Sequence, residues 1–153
     1  MQADDYFAIQ NLIHRYASLV DTGQFDAIGD MFRHADFYIF GKLEARQDPV
    51  AVAKSYKDWV RIYPDGTPRT RHMMTNVIIE PDGPDRATAS TYVMVFQQTD
   101  ALPLQPVIGG DYHDKFAKVD GTWRFVERRM DNNLFGNLTQ HGKDPNWQAP
   151  ERG

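Results

Sequence analysis

The sequence predicts an α+β fold in which helices are segregated from an antiparallel sheet. Up to about residue 63, apolar residues mostly recur at the three- and four-residue spacing of helices that bury one face. From residue 70 onward the chain is rich in β-branched and aromatic residues, in runs separated by turns that contain glycine and proline. The resulting order of helix, helix, strand, helix and then four strands indicates an α+β layer architecture.

Two helices are predicted at the start of the chain. The first begins at Asp4 or Asp5, because aspartate caps a helix and its charge suits the positive end of the helix dipole. It ends at Thr22-Gly23, where glycine accepts the left-handed conformation that closes a helix. Its apolar face comprises Ile9, Leu12, Ile13, Tyr16, Ala17 and Val20. A short second helix has an apolar side that comprises Phe25, Ile28, Met31 and Phe32.

A strand and a third helix come next. The strand covers Asp36 to Phe40 and stops at Gly41. Asp48-Pro49 marks the start of the helix, because aspartate caps it and the missing N–H of proline costs nothing at the first helical position. Pro64-Asp65-Gly66 breaks the helical pattern before the sheet begins.

Four further strands are predicted. They cover Thr70 to Glu80, Arg86 to Thr99, Val107 to Val119 and Thr122 to about Phe135. They are joined by Pro81 to Asp85, by a proline-containing loop from Leu102 to Pro106, and by the hairpin turn Asp120-Gly121. A sheet of long, twisted strands curls, so helices on its concave side leave a cavity between the two layers.

The last strand predicts contacts with another copy of the chain. Trp123 and Phe125 point to one face of this strand, whereas Val126 and Met130 point to the other. Because one face of an antiparallel sheet is usually wet, we expect a second copy to cover the additional apolar face in a homo-oligomer.

Composition narrows the class of protein. A chain of 153 residues forms one domain, placed at residues 1–137, and residues 138–153 form a tail that is disordered or packed on a neighbouring subunit. The net charge of -4 is spread without a basic stripe, which argues against a nucleic-acid partner. Cysteine is absent, and the sequence contains neither a leader pattern nor an apolar run of the ~18 residues that a membrane span needs. We therefore expect a cytoplasmic protein with no membrane partner.

His72 and Asp21 are candidates for a catalytic pair. Histidine has the side-chain pKa nearest neutral pH, so a histidine in a half-apolar strand can carry protons. Asp21 lies in the last turn of the first predicted helix, where its charge opposes the negative end of the helix dipole. A residue placed against its local preference often marks a functional site. A structural histidine and an ordinary helix-terminal aspartate are the alternatives.

Three further side chains are candidate site residues. Tyr16 on the first helix and Tyr38 in the first strand can donate hydrogen bonds in a pocket or simply fill the core. Arg128 lies between apolar neighbours, so it needs a ligand or a counter-charge, for which Asp21 and Glu127 are candidates. The sequence has no nucleotide-binding loop, nucleophile elbow or metal-ligand spacing, so we expect no cofactor and no metal.

Several passages together resemble the SnoaL-like branch of the nuclear transport factor 2-like superfamily. They are Tyr16-x4-Asp21 followed by Gln24-Phe25-Asp26, Tyr38-x2-Gly41-Lys42, Arg71-His72-Met73, Gly109-Gly110-x-Tyr112-x-Asp114, and Asp120-Gly121-x-Trp123-x-Phe125. Within that branch the chain looks most similar to scytalone dehydratase, hexachlorocyclohexane dehydrochlorinase and bile-acid 7α-dehydratase. The resemblance implies a cone-shaped α+β barrel, the cystatin-like fold, whose curved and mainly antiparallel sheet wraps around N-terminal helices. It also favours a trimer, with a dimer as the alternative.

The resemblance implies roles for the candidate residues. His72 would act as the general base, and Asp21 would orient it and stabilise its imidazolium. Tyr16 and Tyr38 match pocket tyrosines, and Arg128 matches an arginine directed at a leaving group. Tyr16 stands where the dehydrochlorinase has a lysine, which favours dehydration over dehydrohalogenation. We therefore predict a cofactor-free lyase or isomerase, most simply a dehydratase, that acts on a small apolar cyclic substrate.

A second class of function stays open at this point. A non-catalytic ligand-binding protein, or an assembly protein that resembles the small subunit of ring-hydroxylating dioxygenases, would keep the fold without needing a catalytic pair. The presence of both Asp21 and His72 favours the enzyme.

Overall fold

A computed structural model describes residues 1–151, which form three helices and one six-stranded sheet. The helices are α1 (Ala3–Asp21), α2 (Phe25–Met31) and α3 (Pro49–Trp59). The strands are β1 (Asp36–Ile39), β2 (Lys42–Arg46), β3 (Thr70–Pro81), β4 (Arg86–Thr99), β5 (Leu102–Val119) and β6 (Thr122–Phe135). This arrangement confirms the predicted α+β class.

The sheet is curved and open, with the strand order β2-β1-β6-β5-β4-β3. Neighbouring strands are antiparallel except β1 and β6, which run parallel. Because β2 and β3 form the two edges, the cone-shaped sheet does not close on itself. α1 packs against β3 and β6, whereas α2 packs against α3. The helices therefore cover one face of the sheet, as the sequence predicts.

The hydrophobic core fills the space between α1 and the sheet. Its fully buried members include Ile9 and Ile13 of α1, Phe37 of β1, Phe116 of β5 and Phe125 of β6. The ring centroids of Phe116 and Phe125 are 4.6 Å apart. Each such side chain contributes ~1.5–3 kcal/mol when it is fully buried. This packing fixes the path of α1 over the sheet and so determines where the end of the helix lies.

The start of α1 differs from the prediction. The helix is capped by Gln2 rather than by Asp4 or Asp5. One carboxylate oxygen of Asp5 accepts the Gln2 N–H at 2.8 Å, and the other accepts the Lys118 ammonium and the Trp123 indole N–H, each at 2.8 Å. These hydrogen bonds, the one from Lys118 foremost, lower the pKa of Asp5. Asp5 therefore ties the start of α1 to β5 and β6.

Other boundaries follow the sequence with three exceptions, the first being that α3 ends at Trp59, several residues before the predicted break at Pro64-Asp65-Gly66, because Val60 is already extended. The Asp48 cap of α3 is confirmed, since its carboxylate accepts two backbone N–H groups of the first turn, each at 3.0 Å. The sequence does not predict β2, because Lys42–Arg46 lacks β-branched residues. In the structure this segment forms an edge strand that pairs with β1. β5 begins at Leu102 and not at Val107, because the segment predicted as a loop pairs with the end of β4 in a hairpin.

A bulge in β6 changes which side chains are buried. Phe125 and Glu127 pair with consecutive residues of β5, so Val126 between them is the extra residue. The bulge brings Arg128 and Met130 onto the same buried face as Phe125. The predicted alternation is therefore wrong beyond Phe125, and it no longer argues that a second copy covers this strand. A homo-oligomer stays a prediction.

The C-terminal segment, residues 138–151, lies along its own chain. Backbone hydrogen bonds join it to the residues after α3, including a bridge between Val60 and Gly142. The Trp147 ring packs against the Phe135 ring, with centroids 5.5 Å apart. The sequence predicts a disordered tail or one packed on a neighbouring subunit. In the structure this segment contacts its own domain, because backbone pairing and ring contacts require no sequence periodicity. Packing on a neighbouring subunit stays a prediction. The last two residues of the predicted tail lie outside the described part of the chain.

Candidate active site

A cavity of about 380 Å³ opens between α1, α3, the sheet and the C-terminal segment. Much of its wall is apolar and includes Val20, Ile39, Val95, Ile108, Met130 and Phe135. Three tyrosines and two histidines add hydrogen-bonding groups to this wall; they are Tyr16, Tyr56, Tyr112, His72 and His141. A volume within the ~300–1,000 Å³ range of small-molecule sites makes this cavity the candidate active site.

The structure brings Asp21 and His72 together at the edge of this cavity. Asp21 is the last residue of α1, and His72 is the third residue of β3. One oxygen of the carboxylate, Oδ1, lies 2.6 Å from His72 Nδ1 and accepts the Thr70 hydroxyl at 2.8 Å. The second oxygen, Oδ2, accepts the backbone N–H of His72 at 2.9 Å. The side chains of His72 and Asp21 are only 6% and 9% exposed.

The surroundings of Asp21 keep its carboxylate charged. Burial raises the pKa of Asp21, but the hydrogen bonds and the charge of His72, together with the Thr70 hydroxyl, outweigh burial and hold the pKa below its ordinary value. In the neutral form of the imidazole, the ionised carboxylate accepts the proton on Nδ1, which leaves Nε2 of His72 as the bare nitrogen. Because His72 lines the cavity, this nitrogen can accept a proton from a bound ligand.

Tyr16 belongs to a group of buried tyrosines in the same wall. Its hydroxyl lies 2.8 Å from the Tyr56 hydroxyl, and its ring centroid lies 6.4 Å from that of His72 and 6.0 Å from that of Tyr112. Burial raises the pKa of all three phenols above the ordinary value. At neutral pH they are therefore uncharged hydrogen-bond donors. The sequence predicts a site role for Tyr16 and none for the other two.

Arg128 lies behind these tyrosines and does not line the cavity. Its guanidinium is 0% exposed and donates two hydrogen bonds of 2.7 Å to Asp114, rather than pairing with Asp21 or Glu127. Although burial lowers its pKa, the charge and hydrogen bonds of Asp114 raise it above the ordinary value. Four aromatic rings surround the guanidinium, with 4.3–5.1 Å between its Cζ atom and the ring centroids; they are those of Tyr16, Phe32, Tyr112 and Phe125. The three tyrosines of the cavity, Tyr16, Tyr56 and Tyr112, form what we call the tyrosine wall. The structure thus gives Arg128 a role in holding this wall.

Tyr38 also lies away from the cavity. Its neighbour in β1, Phe37, is fully buried, and the alternation of the strand turns Tyr38 to the other face of the sheet. There the Arg129 guanidinium lies 3.8 Å from the centroid of its ring. The structure therefore brings Asp21, His72 and Tyr16 together but does not bring Tyr38 or Arg128 into the cavity.

His141 is a residue of the cavity wall that the sequence does not predict. It belongs to the C-terminal segment, lines the cavity and is 3% exposed. Its ring makes an edge-to-face contact with Trp59, with centroids 5.0 Å apart. The only signal in the sequence is an isolated histidine in a segment without periodicity, which gives no indication that it folds back to the domain.

Two negative findings hold for residues 1–151. No group of three or more histidine, cysteine, aspartate or glutamate residues in this range is arranged to hold a metal ion. None of the helices described in it has the length and apolar character needed to cross a membrane.

The cavity and fold correspond to a known family. Residues 1–129 match the SnoaL-like domain, and the chain belongs to that family, which confirms the resemblance seen in the sequence. An uncharacterized protein of Mycobacterium tuberculosis strain H37Rv is 27% identical over 140 residues, which cover 88% of this chain and 88% of that protein.

Solved structures share the architecture. A candidate scytalone dehydratase from Novosphingobium aromaticivorans has a TM-score of 0.69 and 19% identity, with 95% of each chain covered. The beta subunit of a candidate aromatic-ring-hydroxylating dioxygenase from the same species has a TM-score of 0.65 and 17% identity, covering 84% of this chain and 89% of that one. Further similar structures are described as having a cystatin-like fold, which confirms the predicted fold. At these identities the likeness shows the fold alone.

Proposed function

We propose that the protein is a cofactor-free lyase or isomerase, most simply a dehydratase, that acts on a small apolar cyclic substrate. The observation that carries this proposal is the contact of 2.6 Å between Asp21 and His72 at the wall of a mainly apolar cavity. A carboxylate that orients an imidazole and stabilises its cation is the arrangement that a general base requires.

The reaction begins when Nε2 of His72 removes a proton from a carbon next to the one that carries a hydroxyl group. The electron pair of the broken C–H bond forms a carbon–carbon double bond as the C–O bond breaks. The negative charge of Asp21 stabilises the imidazolium during this step. The departing hydroxide takes the proton from the imidazolium and leaves as water, which returns His72 to its neutral form. In an isomerisation, the imidazolium returns the proton to a different carbon.

The tyrosine wall supports the same chemistry. Tyr16 and Tyr56 are uncharged and buried, and their hydroxyls share one hydrogen bond of 2.8 Å, so one O–H proton remains for another acceptor. In the structure that acceptor is Met130 Sδ, 3.6–3.7 Å from the two hydroxyls, and a thioether is a weak acceptor that an oxygen of the substrate can replace. A donor held in a dry site stabilises charge that develops on the leaving oxygen. The apolar wall favours a ring compound with few polar groups.

Turnover by single variants tests the proposal. A panel of bicyclic and steroidal alcohols is incubated with the protein, and loss of water is followed by mass spectrometry. With a compound that reacts, we expect His72→Gln and Asp21→Asn each to lower kcat by ~10²–10⁴, the usual contribution of positioned proton transfer. The exposed His113 provides the control His113→Gln, which should retain turnover. Wild-type turnover in both site variants would remove the proposal.

The fold likeness to a dioxygenase beta subunit supports a second candidate, an assembly protein. In that case the chain would co-purify with a larger iron-containing protein, and His72→Gln would not change the association. Turnover by the isolated chain that depends on His72 would favour the enzyme.

A further inference from the structure

We propose that His141 contacts the ligand and recognises an oxygen substituent of it, so that the C-terminal segment completes the site. The proposal rests on the function proposed above and names a feature of its substrate. The compound is an apolar ring system with a carbonyl or hydroxyl oxygen close to the carbon from which His72 removes a proton.

The first support is the position of the His141 imidazole. The ring lines the same cavity as His72 and is 3% exposed. The backbone of its segment holds it there, since the His141 carbonyl accepts the Arg61 N–H at 2.9 Å. The preceding carbonyl, that of Gln140, accepts a hydrogen bond of 3.0 Å from Nε2 of Gln97 in β4. β4 is also the strand that places Val95 opposite His72. His141 is therefore fixed in the wall of the same cavity as the proposed general base.

The second support is an unpaired polar atom. Nδ1 of His141 is buried and has no hydrogen-bonding partner among the residues that the structure describes. Buried polar groups in proteins are almost always paired, so an unpaired nitrogen beside a cavity indicates a partner that the chain itself does not supply. A neutral imidazole carries one N–H donor and one bare acceptor nitrogen, which suits a hydroxyl or carbonyl oxygen.

The electrostatic surroundings fit a neutral recognition group. Burial, followed by the charge of His72, lowers the pKa of His141 to about 3, although Asp21 acts in the opposite direction. His141 therefore stays neutral when His72 gains a proton, and it does not compete for that proton. A neutral imidazole can polarise a carbonyl or hydroxyl oxygen of the substrate while the other histidine performs the proton transfer.

Binding of two matched probes tests the proposal without any turnover. The ketone 2-tetralone and the hydrocarbon tetralin have nearly the same shape, and only the ketone offers an oxygen. We expect the wild type to bind 2-tetralone about tenfold more tightly, the size of one net hydrogen bond. In His141→Phe, which keeps a ring against Trp59, the preference should vanish while tetralin still binds. His72→Gln should retain the preference, and ¹⁵N spectra of the wild type should show the His141 ring shifting only with the ketone.

Several outcomes would overturn the inference. An equal preference in the wild type and in His141→Phe would mean that a group other than His141 binds the oxygen. A preference lost only in His72→Gln would assign the oxygen to the other histidine. Absence of 2-tetralone binding by the wild type would also reject it. A melting curve would show whether His141→Phe is folded. If it is not, the ¹⁵N chemical-shift changes of the His141 ring in the wild type decide whether His141 contacts the ketone. None of these results depends on turnover, so the proposed function can fail separately.

Discussion

Replacing Arg128 with methionine should destabilise the protein severely, although Arg128 does not itself line the cavity. Arg128 and Asp114 are both fully buried, and two hydrogen bonds of 2.7 Å join them. Arg128→Met removes one partner and leaves the Asp114 carboxylate buried without its cation, which costs about 3–5 kcal/mol in comparable sites. For a domain of this size, each kcal/mol lowers Tm by ~2–4 °C, so we expect a fall of ~6–20 °C.

Urea unfolding followed by tryptophan fluorescence and circular dichroism measures this loss. Adding Asp114→Asn to Arg128→Met removes the uncompensated charge, so the double variant should be clearly more stable than the sum of the two single losses predicts. Arg129→Met is the matched control, because Arg129 is half-exposed and its ion pair with Glu127 contributes under ~1 kcal/mol. Equal losses of stability in Arg128→Met and Arg129→Met would refute a structural role for Arg128.

Three further variants probe other parts of the molecule. Tyr16→Phe should lower turnover about tenfold or more, because it removes a hydroxyl from the cavity wall. Tyr38→Phe is the control and should keep turnover within about twofold of the wild type, because Tyr38 lies away from the cavity. Steady-state kinetics of both variants with one substrate measure the difference. Trp147→Ala should loosen the C-terminal segment, so trypsin should cleave after Lys143 faster than in the wild type, as mass spectrometry can measure. The pKa of Asp21 is lower in the folded than in the unfolded state, so its contribution to stability is present above about pH 4 and is lost as the pH falls below that value. Urea midpoints between pH 3 and 7 should therefore fall less steeply in Asp21→Asn, and identical slopes would contradict the lowered pKa.

Elements with a local signal could be predicted from the sequence. The bounds of β4 and β6 agree with the pattern of β-forming residues between turns, and Asp48 caps α3 as expected. The bulge at Val126 could not be predicted, because it follows from how β6 pairs with β5 and leaves no turn residue in the sequence. That one residue reverses the face of Arg128 and so changes its role from a candidate ligand contact to a buried ion pair.

In the site, too, only residues that stand out within their own helix or strand could be predicted from the sequence. Asp21 and His72 are recognisable because each departs from what its own element favours. Tyr56 satisfies the apolar pattern of α3, so nothing in the sequence separates it from an ordinary core residue. His141 reaches the cavity only because its segment pairs with the residues after α3, a contact between parts of the chain that are about eighty residues apart.

The hydrogen bonds to Asp21 make it possible to tell its anchoring in the fold from its effect on the His72 ring. A carboxylate at the end of α1 meets the negative end of the helix dipole, and donors from β3 offset this cost. Two of the three donors, the His72 backbone N–H and the Thr70 hydroxyl, do not involve the imidazole. In His72→Gln the carboxylate therefore keeps its anchor, and a loss of turnover reports on the ring alone. In Asp21→Asn both the orientation and the stabilisation of the imidazolium are lost together. The loss in Asp21→Asn then measures what the carboxylate adds to the histidine, and the difference between the two losses measures what the ring achieves without it.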